Sequence, residues 1–111
     1  MKKLLSILLV LTMVLGLASV AVAETKPLKI GVCIYKYDDN FMTLYRNELE
    51  KYLTEMGHEV TVVDGKNDQA EQTNQINSFI ANKVDVLIIN LVQSSAAATV
   101  IDLVKAADIP T

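Results

Sequence analysis

The sequence predicts an α/β domain built as a doubly wound parallel sheet. Short apolar runs rich in β-branched residues alternate with longer segments whose apolar residues recur every three or four positions. This alternation indicates strands that alternate with helices. The connections between the segments are short, and strand–helix–strand units of this kind cross over with a right hand, so that helices cover both faces of the sheet. The pattern starts near residue 28, after an N-terminal segment of different character.

The first 23 residues have the three-part organisation of a secretory signal peptide. Two lysines follow Met1, residues 4–20 are almost wholly apolar, and Ala21-Val22-Ala23 has the small-x-small form of a signal-peptidase site. A membrane-anchoring helix is the alternative, because the apolar run is nearly long enough to cross a bilayer. No basic flank follows Ala23, and polar residues dilute the run. We therefore expect cleavage after Ala23, a periplasmic or other extracytoplasmic location, and a mature chain that is not inserted in the membrane.

The first strand–helix unit is predicted over residues 28–57. Leu28–Tyr35 is short, apolar and rich in β-branched residues, which is typical of a buried strand. Asp38-Asp39-Asn40 supplies good helix-capping residues, and Gly57 follows the last apolar turn, where a left-handed residue commonly ends a helix. The spacing of the residues between them predicts one amphipathic helix. Its stripe comprises Phe41, Leu44, Tyr45, Leu49, Tyr52, Leu53 and Met56.

Two further strand–helix units follow. Glu59–Asp64 is predicted as the second strand, with a helix over residues 68–83 after it. Residues 84–91 are apolar enough for a strand in the middle of the sheet. Ser94-Ser95 can cap a third helix, and Ile109-Pro110-Thr111 resembles the start of a fourth strand. We therefore expect an incomplete domain that is part of a longer protein.

The charge and the scarcity of Cys and His exclude several classes of function. Without residues 1–23 the chain carries eight Lys and Arg against thirteen Asp and Glu, a net charge of −5, whereas nucleic-acid binding needs a basic face. Cys33 is the only cysteine and His58 the only histidine. An internal disulfide, a Cys/His zinc site and a Ser-His-Asp triad are therefore all excluded. Cys33 lies in the apolar first strand and is expected to be a buried hydrophobe.

The candidate binding residues follow the strands. In open α/β sheets, ligands bind beyond the carboxyl ends of the strands, where the strand order reverses. The segments expected there, residues 35–41, 64–69 and 90–93, are rich in carboxylates, amides and aromatic rings. Carboxylates and amides hydrogen-bond sugar hydroxyls, which both donate and accept, and an aromatic ring stacks on the apolar face of a pyranose. On residue types alone, helix capping by residues 38–40 and a turn at Asn90 remain open alternatives.

A phosphotransfer enzyme is the catalytic alternative. Adjacent acids after a first strand, here Asp38 and Asp39, also occur in receiver domains, where an aspartate at the end of the third strand takes the phosphate. That position is Asn90 in this sequence, and its amide is not a phosphoryl acceptor. No glycine-rich phosphate-binding loop is present either. Because receiver domains work in the cytoplasm, the signal peptide also disagrees with this function, and we expect a binding protein with no catalytic residues and no metal ligands.

Three segments carry a resemblance to a known family. Residues 35–41 (YKYDDNF), residues 66–69 (KNDQ) and residues 89–92 (INLV) stand at matching spacing. They closely resemble the N-terminal part of the periplasmic galactose/glucose-binding proteins of ABC transporters, and the similarity extends over residues 29–111. The resemblance implies the N-terminal lobe of a type I periplasmic-binding-protein fold, in a two-lobed protein that closes on one hexose.

The resemblance also implies roles for individual residues. In that family the aspartate matching Asp39 accepts hydrogen bonds from sugar hydroxyls, and the asparagine matching Asn90 hydrogen-bonds another hydroxyl. The aromatic ring matching Phe41 stacks on one face of the sugar. Tyr35 matches a tyrosine near the pocket that has a weaker role, and Asp38 is expected to cap the first helix instead of binding ligand.

The ligand that the resemblance implies is D-galactose or D-glucose, and the implied partners are an ABC permease or, in a sensory role, a chemoreceptor. A protein for ribose or another monosaccharide, and a chemosensory sugar carrier with no transport role, are the alternatives. The family's remaining sugar ligands and its calcium loop belong to the C-terminal lobe, so no cofactor is expected in residues 24–111. The sequence departs from the family at Gln93-Ser94, where the family has an Asp-Pro pair, and this affects the loop after the third strand but not Asn90.

Overall fold

The structure, a computed structural model, describes residues 26–111. The predicted signal peptide and its cleavage site after Ala23 lie outside the described residues. The described part contains a parallel sheet of three strands, β1 (Lys29–Ile34), β2 (Glu59–Asp64) and β3 (Val86–Ile89), in the order β2-β1-β3. The central strand β1 is also the most buried one, because every residue after Lys29 is shielded from solvent.

Helices cover both faces of this sheet. Between residues 26 and 111 they are α1 (Asn40–Glu55), α2 (Gln69–Ala81) and α3 (Ala97–Ala106), and a 3-10 turn (Ser94–Ala96) leads into α3. The side chains of α1 pack on one face of the sheet, whereas those of α2 and α3 pack on the other face. The predicted doubly wound parallel sheet is therefore confirmed.

Side chains alternate along β1 and divide the core into two layers. The buried residues of the layer under α1 are Ile30, Val32, Ile34 and Met42. Those of the layer under α2 and α3 are Cys33, Ile76, Phe79, Leu87, Val100 and Val104. Gly31 lets the ring of Phe79 lie directly on β1, because a Cβ at this glycine would stand 2.8 Å from the ring. Cys33 is fully buried, as predicted, and burial raises the pKa of its thiol to about 12.

The inward face of α1 differs from the predicted stripe. Met42, Leu49 and Leu53 pack against the sheet. The remaining members of the predicted stripe are exposed, and these are Phe41, Leu44, Tyr45, Tyr52 and Met56. Two apolar stripes lie side by side on this helix, one residue position or roughly 100° apart around its axis, and the sheet covers only one of them. The prediction that all seven residues share the inward face was wrong, and the five exposed residues form an exposed apolar face on α1.

The third strand also differs from its prediction. It spans Val86–Ile89 instead of residues 84–91, and it lies at an edge of the described sheet instead of in its middle. Its outer edge is not bare, because the Leu87 N–H donates a hydrogen bond of 2.9 Å to the carbonyl oxygen of Pro110. Pro110 therefore lies beside β3, within the segment 109–111 where the start of a fourth strand was predicted.

The predicted C-terminal end of α1 is confirmed, and the predicted start of α3 is corrected. Gly57 follows α1 with a φ of 92°, the left-handed conformation expected of a glycine at a helix end. Neither Ser94 nor Ser95 caps α3 with its side chain, because the chain enters α3 through the 3-10 turn, in which the Ala96 N–H donates to the Gln93 carbonyl at 3.0 Å. None of the helices between residues 26 and 111 has both the length and the apolar character needed to cross a bilayer.

Candidate functional site

The strand order places a crevice at the carboxyl ends of β1 and β3. These two strands are neighbours, yet the chain leaves β1 towards α1 on one face of the sheet and leaves β3 towards α3 on the other face. Ligands of open α/β sheets bind at such a reversal of strand order. The loops at residues 35–39 and 90–93 follow the two strands there and hold Tyr35, Asp39 and Asn90, and the fourth sequence-predicted site residue, Phe41, lies in the first turn of α1.

Asp39 is the N-cap of α1. Its backbone is extended, with a φ of −89° and a ψ of 127°, and its Oδ1 accepts a hydrogen bond of 3.0 Å from the Met42 N–H. Its other oxygen, Oδ2, accepts a hydrogen bond of 2.7 Å from the hydroxyl of Tyr35. One carboxylate therefore closes the first turn of the helix and also fixes the side chain of a neighbouring tyrosine.

These hydrogen bonds hold Asp39 in its ionised form. The backbone N–H of Met42, and next the hydroxyl of Tyr35, lower the pKa of Asp39 below its usual value because both donate to the charged carboxylate. The same hydrogen bond raises the pKa of Tyr35, because it favours the neutral phenol. At neutral pH, Asp39 is thus a pure hydrogen-bond acceptor with unused lone pairs on both oxygens.

The predicted capping role of Asp38 is wrong. The side chain of Asp38 is 82% exposed and lies 3.6 Å from the Lys36 ammonium. Because α1 begins at Asn40, the residue immediately before the helix is Asp39, and only an oxygen at that position reaches the free N–H groups of the first turn. The structure thus places the cap one residue later than the sequence analysis did.

Asn90 sits directly after β3 and is held by β1. Its backbone N–H donates to the Cys33 carbonyl at 2.8 Å, and its side-chain Oδ1 accepts from the Tyr35 N–H at 3.1 Å. The oxygen of the amide is thus occupied within the protein, and the Nδ2 amino group is the donor that Asn90 can offer to a ligand. Tyr35 joins the two candidate ligands, since its N–H contacts Asn90 and its hydroxyl contacts Asp39.

Phe41 and Asn90 line one small cavity. Its volume is about 270 Å³, and its lining consists of Phe41, Met42, Tyr45, Ile89 and Asn90. The ring of Phe41 is 72% exposed, so one aromatic face is open to a ligand. Asp39 and Tyr35 do not belong to the lining of this cavity. Together the four predicted residues thus form two hydrogen-bonded pairs, Asp39–Tyr35 and Tyr35–Asn90, and one cavity that Asn90 shares with Phe41.

Tyr45 is a candidate residue that the sequence analysis missed as a site residue. It lines the same cavity as Phe41 and Asn90 and is 41% exposed. The spacing between Phe41 and Tyr45 could have indicated this, because residues four positions apart on a helix are neighbours on one face. Once Phe41 is placed at the start of α1, its partner at the fourth position must stand beside it.

A second, more polar cavity lies at the carboxyl ends of β1 and β2. Its volume is about 400 Å³, and its lining consists of Lys36, Tyr37, Asp38, Asp64, Lys66 and Asn67. Two carboxylates face two ammonium groups there, and the Asp64 carboxylate is already used by the Lys66 N–H at 2.8 Å. This cavity lies on the side of β1 away from β3, and hence away from the reversal of strand order. Within residues 26–111, no group of three His, Cys, Asp or Glu side chains is placed to hold a metal ion.

Comparison with known proteins decides the family of this chain. Residues 30–111 match the periplasmic binding protein domain. The chain belongs to the periplasmic binding protein family. This confirms the resemblance drawn from the YKYDDNF, KNDQ and INLV segments.

Three individual proteins are similar to this chain. It is 41% identical over 97 residues to the D-galactose/methyl-galactoside binding periplasmic protein of Haemophilus influenzae. This alignment covers 86% of this chain and 29% of the relative. It is 31% identical over 85 residues to the ribose import binding protein of Bacillus subtilis, covering 77% of this chain and 28% of the relative. Among solved structures, an ABC transporter solute binding protein from Bacillus halodurans with bound myo-inositol superposes with a TM-score of 0.71 at 30% identity, covering 75% of this chain and 29% of that one.

The alignments also show how much of its relatives' length this chain spans. It spans less than a third of the length of the curated relatives that it matches. The likeness to the solved structure, which covers 75% of this chain, and the match to the family identify the fold as that of a type I periplasmic binding protein.

Proposed function

We propose that residues 24–111 form the N-terminal lobe of an extracytoplasmic solute-binding protein, which captures a hexose and delivers it to an ABC sugar transporter. One observation carries the proposal. At the reversal of strand order, an ionised carboxylate (Asp39), an amide with a free amino group (Asn90) and an exposed aromatic ring (Phe41) are held together through Tyr35 and one cavity.

The chemistry of these groups complements a sugar. Asp39 accepts hydrogen bonds from hydroxyl groups, and the Asn90 Nδ2 donates to a hydroxyl oxygen, so the two residues serve the two capacities that each hydroxyl has. Hydrogen bonds to a charged carboxylate are about twice as strong as bonds between neutral groups. The open face of Phe41 covers the apolar C–H face of a pyranose ring. This set offers no cation to a phosphate or a carboxylate ligand.

A hexose is the proposed ligand, and D-galactose or D-glucose is the first choice. The relative with 41% identity is named for D-galactose and methyl-galactoside binding, whereas the relative named for ribose import has 31% identity. The solved structure contains myo-inositol, which like the sugars is a ring with a hydroxyl on most carbons. A ribose-binding protein is the second candidate, because the ribose relative aligns over 77% of this chain.

We further propose that a second lobe completes the site. Ligand sites normally bury roughly 70–90% of the ligand surface, and the residues described here provide one wall. The share of about 29% that this chain covers in its relatives leaves ample length for an opposite wall. Water is expelled when two lobes close, and hydrogen bonds gain strength in the dry space between them.

Titration calorimetry on the full-length gene product tests the ligand. D-galactose, D-glucose, D-ribose and myo-inositol are compared under one set of conditions, and we expect one of the two hexoses to bind at least about tenfold more tightly than ribose or inositol, a difference of about 1.4 kcal/mol. Tighter binding of ribose would select the second candidate, and absence of binding to all four would contradict the proposal. Uptake of labelled hexose by cells with and without the gene then distinguishes supply of an ABC permease from a purely chemosensory role.

A further inference from the structure

Gln72 makes a buried link to the backbone on both sides of Leu91, the residue that follows Asn90. Its side chain is fully buried, with 0% exposure. The Nε2 group donates to the Asn90 carbonyl at 2.8 Å, and Oε1 accepts from the Val92 N–H at 3.1 Å. One planar amide thus bridges a carbonyl and the N–H two residues further along the chain.

This bridge continues the sheet beyond the end of β3. A residue of a neighbouring parallel strand donates to the carbonyl of one residue and accepts from the N–H two residues later. The Gln72 amide offers the same donor and acceptor to Asn90 and Val92 although β3 has already ended at Ile89. The loop backbone is therefore held as if one more strand residue lay beside it.

The Gln72 link affects the candidate sugar site, because Asn90 is held by hydrogen bonds from residues 33–35 on one side and from α2 on the other. Its N–H is bound by the Cys33 carbonyl, its C=O by Gln72, and its side-chain oxygen by the Tyr35 N–H. These three hydrogen bonds leave the Nδ2 group of Asn90 as its remaining polar group, and Asn90 lines the cavity that it shares with Phe41. We propose that Gln72 is a positioning residue, which holds Asn90 so that its Nδ2 meets a sugar hydroxyl. The proposal rests on the proposed sugar-binding function.

Gln75, a neighbouring glutamine on α2, supplies a matched control. Gln75 lies one turn from Gln72 and donates to the Asp64 carbonyl at 2.7 Å, a bond of the same kind and of similar length. It ties α2 to the end of β2, which lies on the other side of β1 from Asn90. Replacing Gln75 therefore removes a similar helix-to-strand link without touching the candidate site.

The test compares Gln72→Met with Gln75→Met in the full-length gene product. Methionine keeps the length of the side chain and removes both hydrogen-bonding groups. For Gln72→Met we expect the amide protons of Val92 and Tyr35 to exchange with solvent at least about tenfold faster, because their local opening becomes easier. Hexose affinity should fall about tenfold or more, since an unpaired buried carbonyl and a displaced donor each weaken the site. For Gln75→Met, the exchange of these two amides and the affinity should stay within about twofold of the wild type.

If Gln72→Met folds poorly, Gln72→Glu is a second variant that tests the same role. The ionised carboxyl accepts from the Val92 N–H but cannot donate to the Asn90 carbonyl, whereas the protonated form can do both. Burial raises the pKa of such a carboxyl, so the hexose affinity of this variant should recover towards the wild-type value between pH 7.5 and pH 5. The wild type, measured at the same two pH values, provides the reference. A purely structural role would give no recovery of affinity with pH.

The two proposals fail in different ways. If both methionine variants weaken binding equally, or if Gln72→Met changes neither the exchange of Tyr35 nor the affinity, Gln72 does not position Asn90. If the wild type binds none of the four polyols, the sugar function fails. In that case the exchange rates alone decide whether Gln72 holds the Asn90 loop.

Discussion

Replacing Asp39 by serine separates its two roles, because serine keeps the helix cap and removes the carboxylate. Serine is about as good as aspartate at an N-cap position, so its hydroxyl can still accept from the Met42 N–H. The shorter side chain has no second oxygen for Tyr35 or for a ligand. The free energy of unfolding should fall by less than about 1 kcal/mol, the share that a negative charge contributes near the N-terminus of a helix.

The loss in ligand binding should be larger. A sugar hydroxyl that faced Asp39 would be left without its acceptor in a closed site, which costs on the order of 1–3 kcal/mol, or roughly 5-fold to 150-fold in affinity. Asp38→Ser is the matched control. Because that side chain is 82% exposed and its contact with Lys36 spans 3.6 Å, we expect stability to change by less than about 0.5 kcal/mol and affinity to change less than about twofold.

Chemical denaturation and titration calorimetry with D-galactose and D-glucose measure the two quantities on the same preparations of full-length protein. Wild-type affinity in Asp39→Ser would refute the role of this carboxylate as a sugar ligand. Asp39→Ala removes the cap as well as the charge, so it should lower the stability more than Asp38→Ser does, and the reverse order would refute the assignment of the cap. The lowered pKa of Asp39 adds a check on its charge. Stability from its ionised form is present above the usual carboxyl pKa of about 4 and is lost as the pH falls through the lower folded-state value.

Four further predictions concern core packing, cysteine reactivity, signal-peptide cleavage and the isolated fragment. Leu49→Ala should lower the free energy of unfolding by about 2 kcal/mol, because this side chain packs against the sheet, whereas Leu44→Ala, at a 69% exposed position, should lower it by less than about 0.5 kcal/mol; urea titration of both variants compares them. Cys33 should not react with a thiol-specific disulfide reagent at pH 8 until the protein unfolds, because its pKa is about 12, and fast labelling of folded protein would contradict its burial. The exported product should begin at Glu24, and an intact mass that includes residues 4–20 would refute the signal peptide. Residues 24–111 alone should not bind galactose or glucose with useful affinity, because one wall leaves the hydrogen bonds in water, and micromolar binding to a monomer in calorimetry would contradict the need for a second lobe.

The order of strands and helices could be predicted because each element carries its own local signal. Apolar β-branched runs mark the strands, Gly57 marks the end of α1, and the short connections require a parallel sheet. The face that α1 buries could not be predicted in the same way. Apolar residues occupy two adjacent stripes on this helix, so periodicity supports either face, and the sheet decides for the stripe that contains Met42. The edge position of β3 has a similar origin, since hydrophobicity does not reveal which strand will lie beside it.

The proximity of the candidate site residues could be predicted from the strand ends, whereas the contacts among them could not. Asp39, Phe41 and Asn90 are close to strand ends in the sequence, and the parallel sheet alone brings them to one edge. The contacts of Gln72 depend on how α2 lies across the end of β3, which no local pattern reports. The helix cap is Asp39 and not Asp38 because α1 begins one residue later than expected. Helix boundaries cannot be predicted from sequence to within one residue.

Helix capping and ligand binding are alternative roles for an aspartate after β1 on residue types alone, but the geometry of Asp39 makes them compatible. A carboxylate has about four lone-pair sites, and Asp39 uses one for Met42 and one for Tyr35. The cap lowers the pKa of this carboxyl, so it stays charged and can only accept hydrogen bonds. A ligand at this position must therefore present donors, which hydroxyl groups do and phosphate or carboxylate oxygens do not. The contact that starts α1 thus also favours a polyol over an anion at the end of β1.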